Sequence, residues 1–566
     1  MAQQQQNITI AAPGFQGINT EESPLQQDPS FCLVAENAVL DRYGRIGSRK
    51  AFAEFTTAVN VTYAVAPGAV TAEVVTHRLG QGVIGTISYV LATVSIFQFD
   101  AANALLQEDY RICRLVTGAG PTYTLDEIPS QPTLTTPAAL KDAKILSFKD
   151  EIFIFSQGND VVVFDGTVLT LLSAAAGYLP PQDDTGTLAA LLDGNVATAA
   201  YGRLWVSGVN SDFNTIYYSD LLIPTQWYDG KAAPTDPANT GGIIDVSEYW
   251  PNGSDRIVGL VAHNSALYVF GRNSIIVYNN AASGDPASAD GIVLADTISN
   301  LGLVSRDAVT NIGSDILFVD DSGVRSLGRT IQEKSVPIGD LTYNVRRDVT
   351  EQIANTNDKK KISLTYWPNE DLTLLLFSEA NYGYTIEMRS PSSTGGNKIT
   401  QWTGCFFERA LYYEQAGLSR VVMASNKDAG LLEYDGSTDQ SGEAYDFKYE
   451  SSVLTFGQPA NLKFLKQIDY TVVSTGNDSL AYSGWGFTGR LDYTKLLTVN
   501  GQSAGLFGIS LFGIAKYNSG LTRIKRYRVN TKGSGESIVI GIRASILGNS
   551  FSLQEINVQT LLGRLN

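Results

Sequence analysis

The sequence is poor in the side chains that most chemistry requires. Three cysteines, Cys32, Cys113 and Cys405, lie far apart with no paired spacing. This excludes a disulfide framework and a thiolate metal site, and leaves three buried thiols as the expectation. The two histidines, His77 and His263, make no metal-ligand spacing such as H-E-x-x-H, and neither stands in a recognisable Ser-His-Asp setting. No metal or cofactor site and no recognisable nucleophilic machinery are therefore expected. Charged residues are only 17% of the total, whereas helical surfaces are usually rich in Glu, Lys and Arg, so long helices are not expected either. Basic residues are outnumbered 41 to 57, for a formal net charge of −16. Such a surface is not built to neutralise nucleic-acid phosphates, but it can guide DNA by not holding it.

Long apolar runs are missing too. The longest stretch free of formal charge is Leu79 to Phe99, "LGQGVIGTISYVLATVSIFQF". Its Gln, Ser, Thr, Gly and β-branched residues favour two buried strands over a membrane helix. The opening "MAQQQQNITIAAPG" has no basic segment followed by an apolar one, so the expectation is a soluble protein made in a reducing cytoplasm.

Glycine is abundant, with 53 in 566 residues, and hydrophobic content is 43%. That suits two to four units of strands and tight turns. "ILSFKDEIFIFSQGNDVVVFDG" (Ile145 to Gly166) reads as three strands joined by a polar pair and a Gly-Asn-Asp turn. "IVGLVAHNSALYVFGRNSIIVYNN" (Ile257 to Asn280) repeats it, turning at Asn264-Ser265 and Arg272-Asn273. Weaker copies bring the set to seven, beginning near Val90, Ile145, Ala199, Ile257, Ala308, Lys361 and Arg420. Their spacing of about 50–60 residues is near that of a kelch-like blade. The expected fold is all-β: a β-propeller of six or seven blades, with insertions, across residues 61–440. Residues 1–60 form an N-terminal arm and docking strands, and 445–566 a C-terminal antiparallel β-sandwich or sheet layer. The alternative is a set of meanders packed as sandwiches. A linker, Leu179 to Ala200, has room for a short helix. The strand-poor excursion Gly328 to Lys361 is expected to hold a helix, where Leu341, Val345, Val349 and Ile353 recur every fourth position and build one stripe.

Several motifs invite chemical readings that their surroundings weaken. "RIKRYRV" (Arg523 to Val529) could face nucleic acid, yet on a strand Arg523, Lys525 and Tyr527 point one way and Arg526 and Arg528 the other, favouring a structural or interface role. The acidic pairs Glu21-Glu22, Asp183-Asp184 and Asp320-Asp321 fall in turns or linkers, where a solvated or turn-forming role is the default. "FVDDSGVRSL" lacks the alternating oxygen ligands of a calcium loop, and Asp320 and Asp321 serve a hairpin turn ahead of Gly323. "GFQGINTEESPLQQDP" (Gly14 to Pro29) offers only G-x-x-G, with no Lys after it and with Pro24 and Pro29 interrupting, which is not a phosphate loop.

Read whole, Gly14 to Phe52 resembles the N-terminal signature of the tail tubular protein B family, the tail-nozzle proteins of short-tailed bacteriophages. Gly17, Ile18, Asn19, Thr20, Ser23 and Pro24 match a "G-I/L-N-T-x-x-S-P" element, with Gly14 ahead of it. Asn37, Asp41, Gly44 and Arg49 match "N-x-x-x-D-x-x-G-x-x-x-x-R". The likeness continues in the blade-like copies and in "SLQEINVQTLLGR" (Ser552 to Arg564). It implies a structural virion protein of the tail, not an enzyme and without catalytic residues, made in the host cytoplasm, whose homohexamer sits coaxially below the portal and a ring-shaped adaptor. Viral DNA would be retained and then passed without sequence-specific binding. Tail fibres and, at the distal end, the host envelope are further contacts it leaves open. Ten of these residues, all but Ile18, become assembly candidates, docking the arm on the C-terminal layer or on a neighbour, and an acidic lumen is expected. "PSSTGGN" (Pro391 to Asn397) and the long linkers read as lineage-specific insertions. Two rivals stand beside this: a propeller adhesin, using Trp227, Tyr228, Trp250 and Trp367 beside turns to bind sugar, and a glycan-cleaving propeller with paired carboxylates.

Overall fold

The computed structural model describes residues 5–565 apart from 41–43, 119–121, 173–193, 228–239, 282–290, 334–339, 416–417, 428, 477, 488 and 500–522. Six small sheets stand in a ring, the arrangement of a six-bladed β-propeller. They span residues 71–127, 144–171, 196–245, 259–299, 309–326 and 407–434. Within these spans the strands follow chain order from the centre outwards, because tight turns leave each strand nowhere to pair but beside the last; Thr56–Asn60 then adds parallel to Tyr123–Glu127 at the rim of the first sheet. Lys149-Asp150 and Asn264-Ser265 both adopt positive φ (43° and 54°, 49° and 64°), the geometry of a two-residue hairpin turn whose twist matches the strands.

The innermost strands make the ring. Thr71–Ile84 lies against Lys144–Phe148, that strand against Val196–Ala200, and that against Gly259–His263. The fourth and fifth sheets meet where the rings of Phe270 and Phe318 pack 5.3 Å apart. Between the fifth and sixth stands Ile362–Trp367, the end strand of a larger sheet, and the sixth sheet's Phe407–Gln415 closes back on Thr71–Ile84. The sixth sheet is completed by Phe52–Glu54, which pairs antiparallel with Leu431–Tyr434. Of the seven repeats read from sequence, five start on an innermost strand. Val90 and Arg420 instead lie on second strands, Ile87–Phe99 and Leu418–Ser425. The true first strands bury His77, Arg78, Glu408 and Arg409, so they do not read as apolar runs.

Beside the propeller are a nine-stranded and a seven-stranded sheet. The nine-stranded sheet begins with the four strands of 362–403, passes through Cys32–Glu36, and continues into Tyr445–Ser451, Val539–Ile546, Ser479–Gly486 and Tyr493–Val499. It therefore crosses the boundary expected near 440–445 as one continuous surface, which strand Cys32–Glu36 joins by pairing antiparallel with Tyr445–Ser451 and, at Glu36 and Gln401, parallel with Asn397–Thr403. The seven-stranded sheet is centred on Asn461–Gly476 and Asn549–Leu565, and Gln5–Ala11 pairs with the latter. Face to face, the two sheets share one core: Phe447 meets Phe551 at 5.3 Å, and the Tyr470 and Ser483 hydroxyls bond at 2.7 Å. The expected stripe is there as well. After the turn Tyr343–Val345, helix Arg346–Asn355 buries Val349 and Ile353 in that core together with Leu341 and Val345. Of the linker 179–200, residues 179–193 lie outside the described residues and the rest includes strand Val196–Ala200.

At one end of the ring the sheets are tied by charge. Asp142 pairs with Arg78 (2.6 Å), Lys360 (2.8 Å) and Arg306 (3.1 Å). Asp307 pairs with Arg306 (3.0 Å), Arg409 (3.2 Å), Arg78 (3.4 Å) and Lys144 (3.8 Å). Glu408 holds Lys361 and His77, the latter at 3.2 Å. Burial alone would raise the Glu408 pKa, but the hydrogen bond and charge of His77 and the charge of Lys361 outweigh it and bring it to about 2. A carboxylate held below its unfolded value stabilises the fold above that value and loses the contribution as pH falls through the folded one. Acid unfolding should accordingly steepen between about pH 4.5 and about pH 2. In Glu408→Gln that part of the stability–pH slope should vanish, as measured by denaturant titration across the window.

Candidate functional site

The residues matched in the N-terminal signature dock the arm on the nine-stranded sheet and on helix Arg346–Asn355, and through Arg49 they reach the edge of the propeller, a seam between it and the two-sheet layer. Gly14 and Gly17 take φ of 68° and 82°, which only glycine adopts freely. A Cβ on Gly17 would lie 2.6 Å from the backbone nitrogen of Ile399, and one on Gly14 would lie 2.9 Å from the Tyr449 ring. These glycines let the arm approach the nine-stranded sheet closely. Ile18 N then donates to Ile399 O (2.9 Å), Cys32 N to Gly17 O (3.1 Å) and Thr20 N to Asn344 O (2.8 Å).

Asn19, 1% exposed, turns the chain. Its side-chain oxygen accepts from the backbone N–H groups of Glu21 (3.1 Å) and Glu22 (3.2 Å), while Gln27 Nε2 donates to its carbonyl (2.7 Å). The turn delivers two side chains to the start of helix Arg346–Asn355. Thr20 Oγ1 donates to Asp348 (2.8 Å), and the Glu21 carboxylate accepts from Arg347 N (2.6 Å), where the helix dipole favours negative charge. Ser23 and Pro24 are exposed and shape the outer turn. Gln16 Oε1 accepts from Ser393 N (3.1 Å), so the "PSSTGGN" loop lies against the arm.

The second element closes on itself. Asn37, at φ 52°, donates through Nδ2 to Thr403 Oγ1 (3.0 Å) and Asp446 O (2.8 Å), and its Oδ1 accepts from Thr403 N (3.0 Å) and Arg49 Nε (3.1 Å). Arg49 is fully enclosed. It makes a two-pronged pair with Asp439 (2.9 and 2.7 Å) and lies 4.0 Å from the ring centres of both Phe52 and Tyr445. Burial works against its charge, but the hydrogen bond and charge of Asp439 win and raise its pKa. Gly44, at φ 75°, turns between strands Ala38–Leu40 and Ile46–Ser48. Asp41 lies outside the described residues. Nothing in sequence singled out Asp439: "DGSTDQSGE" reads as an ordinary turn, and only the fold brings it to Arg49.

Other candidates are used up structurally. Asp320 accepts from Ser322 N (2.8 Å) and pairs with Arg325 (2.7 Å) in the hairpin turn before Gly323. Arg526 and Arg528 each approach the buried Asp469 at 3.3 Å. Asp183-Asp184 and Tyr228 lie outside the described residues. The tryptophans proposed for sugar binding are not available: Trp227, Trp250 and Trp367 are at most 6% exposed. Each is an apolar ring that the cores absorbed, and the neighbouring turn residues misplaced them on the surface. Among the described residues no group of three or more His, Cys, Asp or Glu side chains could hold a metal ion.

No family model matches the chain, and no curated protein matches it. Solved structures share features of the fold at low similarity. Hsv2 of Kluyveromyces marxianus is 12% identical with a TM-score of 0.26, over 56% of this chain and 95% of its own. The extracellular domain of a hybrid two-component system from B. thetaiotaomicron is 11% identical with a TM-score of 0.30, over 82% of this chain and 57% of its own. An exo-β-1,3-galactanase from Clostridium thermocellum is 13% identical with a TM-score of 0.23, over 69% and 90%. At these values none bears on function.

The seam makes a direct prediction. Removing one partner of a buried ion pair leaves the other uncompensated, so Arg49→Met should cost about 3–5 kcal/mol in urea unfolding. Arg49→Lys should recover only part of that loss, because one ammonium cannot reproduce the two-pronged contact or the stacking between two rings.

Proposed function

We propose that this protein is a structural component of a short-tailed bacteriophage tail, a nozzle subunit that forms a homohexameric conduit below the portal and adaptor. The observation that carries the reading is how the signature residues are used. Gly14, Gly17, Asn19 and Asn37 are spent on seating the arm against the nine-stranded sheet, Arg49 ties that layer to the propeller's sixth sheet, and none presents a free reactive group. That is the design of a wall element, in which rigidity between layers matters more than binding chemistry. The net charge of −16 on each chain supports the same reading, since six such chains around a channel repel a DNA backbone and let it slide. The burial of Trp227, Trp250 and Trp367 disfavours the adhesin that was to use them.

The test is assembly. The purified chain, alone or with the other tail proteins, should give a six-fold ring with an axial hole in electron microscopy and a matching mass by light scattering. Deleting residues 1–30 should abolish the ring while leaving the strand signal in circular dichroism. A chain that remains monomeric with the other tail proteins, or a hexamer whose lumen is dominated by Lys and Arg, would overturn the proposal.

A further inference from the structure

The centre of the propeller carries charge of the opposite sign to the chain as a whole. Four cations, Arg78, Lys144, Arg306 and Arg409, surround two carboxylates, Asp142 and Asp307. The acids cannot balance them, and Lys360 adds a further cation at the rim. The arginines are at most 10% exposed, so bulk water does little to screen the excess. Donors are left over as well: the buried Nε atoms of Arg78 and Arg409 have no hydrogen-bond partner among the described residues.

A cavity of about 170 Å³ opens beside this excess. It is walled by residues of four innermost strands and by Arg306, and it therefore runs along the ring's own axis. Its polar lining is Lys144, Thr198, Arg306, Thr310 and Asn311. Arg306 is fully engaged with Asp142, Asn195 and Asp307 and contributes charge alone. Lys144 differs. Among the described residues its ammonium makes no hydrogen bond, and its nearest counter-charge is Asp307 at 3.8 Å. Burial and the neighbouring guanidinium groups draw its pKa below the usual lysine range, despite Asp307. Among the described residues the Thr198 and Thr310 hydroxyls and the Asn311 amide make no donor contact, and the Asn311 side-chain oxygen accepts from Gly313 N (2.7 Å).

We propose that this axial cavity binds one small oxyanion of the phosphate class, whose charge completes the network. A tetrahedral oxyanion accepts hydrogen bonds from several directions at once, which suits an ammonium, two hydroxyls and an amide set on different strands. The volume holds such an ion with a few waters. The acidity of the whole chain discourages loose accumulation of anions, so saturable binding would report a local site.

The experiment uses the full chain in phosphate-free buffer, titrated calorimetrically with inorganic phosphate at ionic strength held constant with chloride. One site per chain is expected, with a Tm that rises as phosphate is added. Lys144→Met should weaken binding at least tenfold, and Asn311→Ala, at an exposed position that does not threaten the fold, at least threefold. Stabilisation by chloride equal to that by phosphate, the absence of saturable binding, or unchanged affinity in either variant would overturn the proposal.

Discussion

Arg49 holds a charge that it cannot give up, in a place from which water is excluded. A guanidinium stays protonated at any ordinary pH, so its burial has to be met by a carboxylate, by acceptors in the right plane, or by aromatic faces. Here all three are present, and each comes from a different part of the chain: Asp439 from the turn after the sixth propeller sheet, Asn37 from the end of the strand that bridges the nine-stranded sheet, and Phe52 and Tyr445 from either side. The three layers are thereby fixed relative to one another at a single point. A shift of any one would strand a charge, which makes the seam a positional constraint as much as a source of stability.

The ring has a comparable device on its axis, but of a different character. The Asp142 and Asp307 network draws on the first, second and fifth sheets and, through Lys360 and Arg409, on the large sheet's edge and the sixth. Apolar packing between neighbouring sheets is local, since each cluster joins mainly adjacent ones. The ion network instead reaches across the ring. Hydrophobic contact supplies most of the energy, and charge sets which sheets stand opposite which.

How far the sequence foretold this depended on what each strand buries. The turn pairs Lys149-Asp150 and Asn264-Ser265, and the stripe Leu341, Val345, Val349 and Ile353, were plain because local rules and tertiary structure agree there. The first and last blades were misphased because their inner strands carry His77, Arg78, Glu408 and Arg409 towards the axis, and buried charge looks like surface in a hydrophobic pattern. The signature residues could be found by resemblance, yet Asp439 could not. Its role exists only once some 390 residues intervene and fold back. The nine-stranded sheet was hidden for the same reason, since Cys32–Glu36 joins strands far from it along the chain.

The strand Phe52–Glu54 belongs to a sheet whose other members are made much later, Leu431–Tyr434 among them. A ribosome adding about 5–20 residues per second leaves it waiting on the order of tens of seconds for that partner. Gln5–Ala11 waits longer still, for residues 555–561. These two early strands are thus paired late, unlike Ala38–Leu40, which pairs at once with Ile46–Ser48. Until residues 431–434 emerge both late-paired strands stand as open β-edges, and Gln5–Ala11 stays open until residues 555–561 follow, each a place where another unfinished copy can pair.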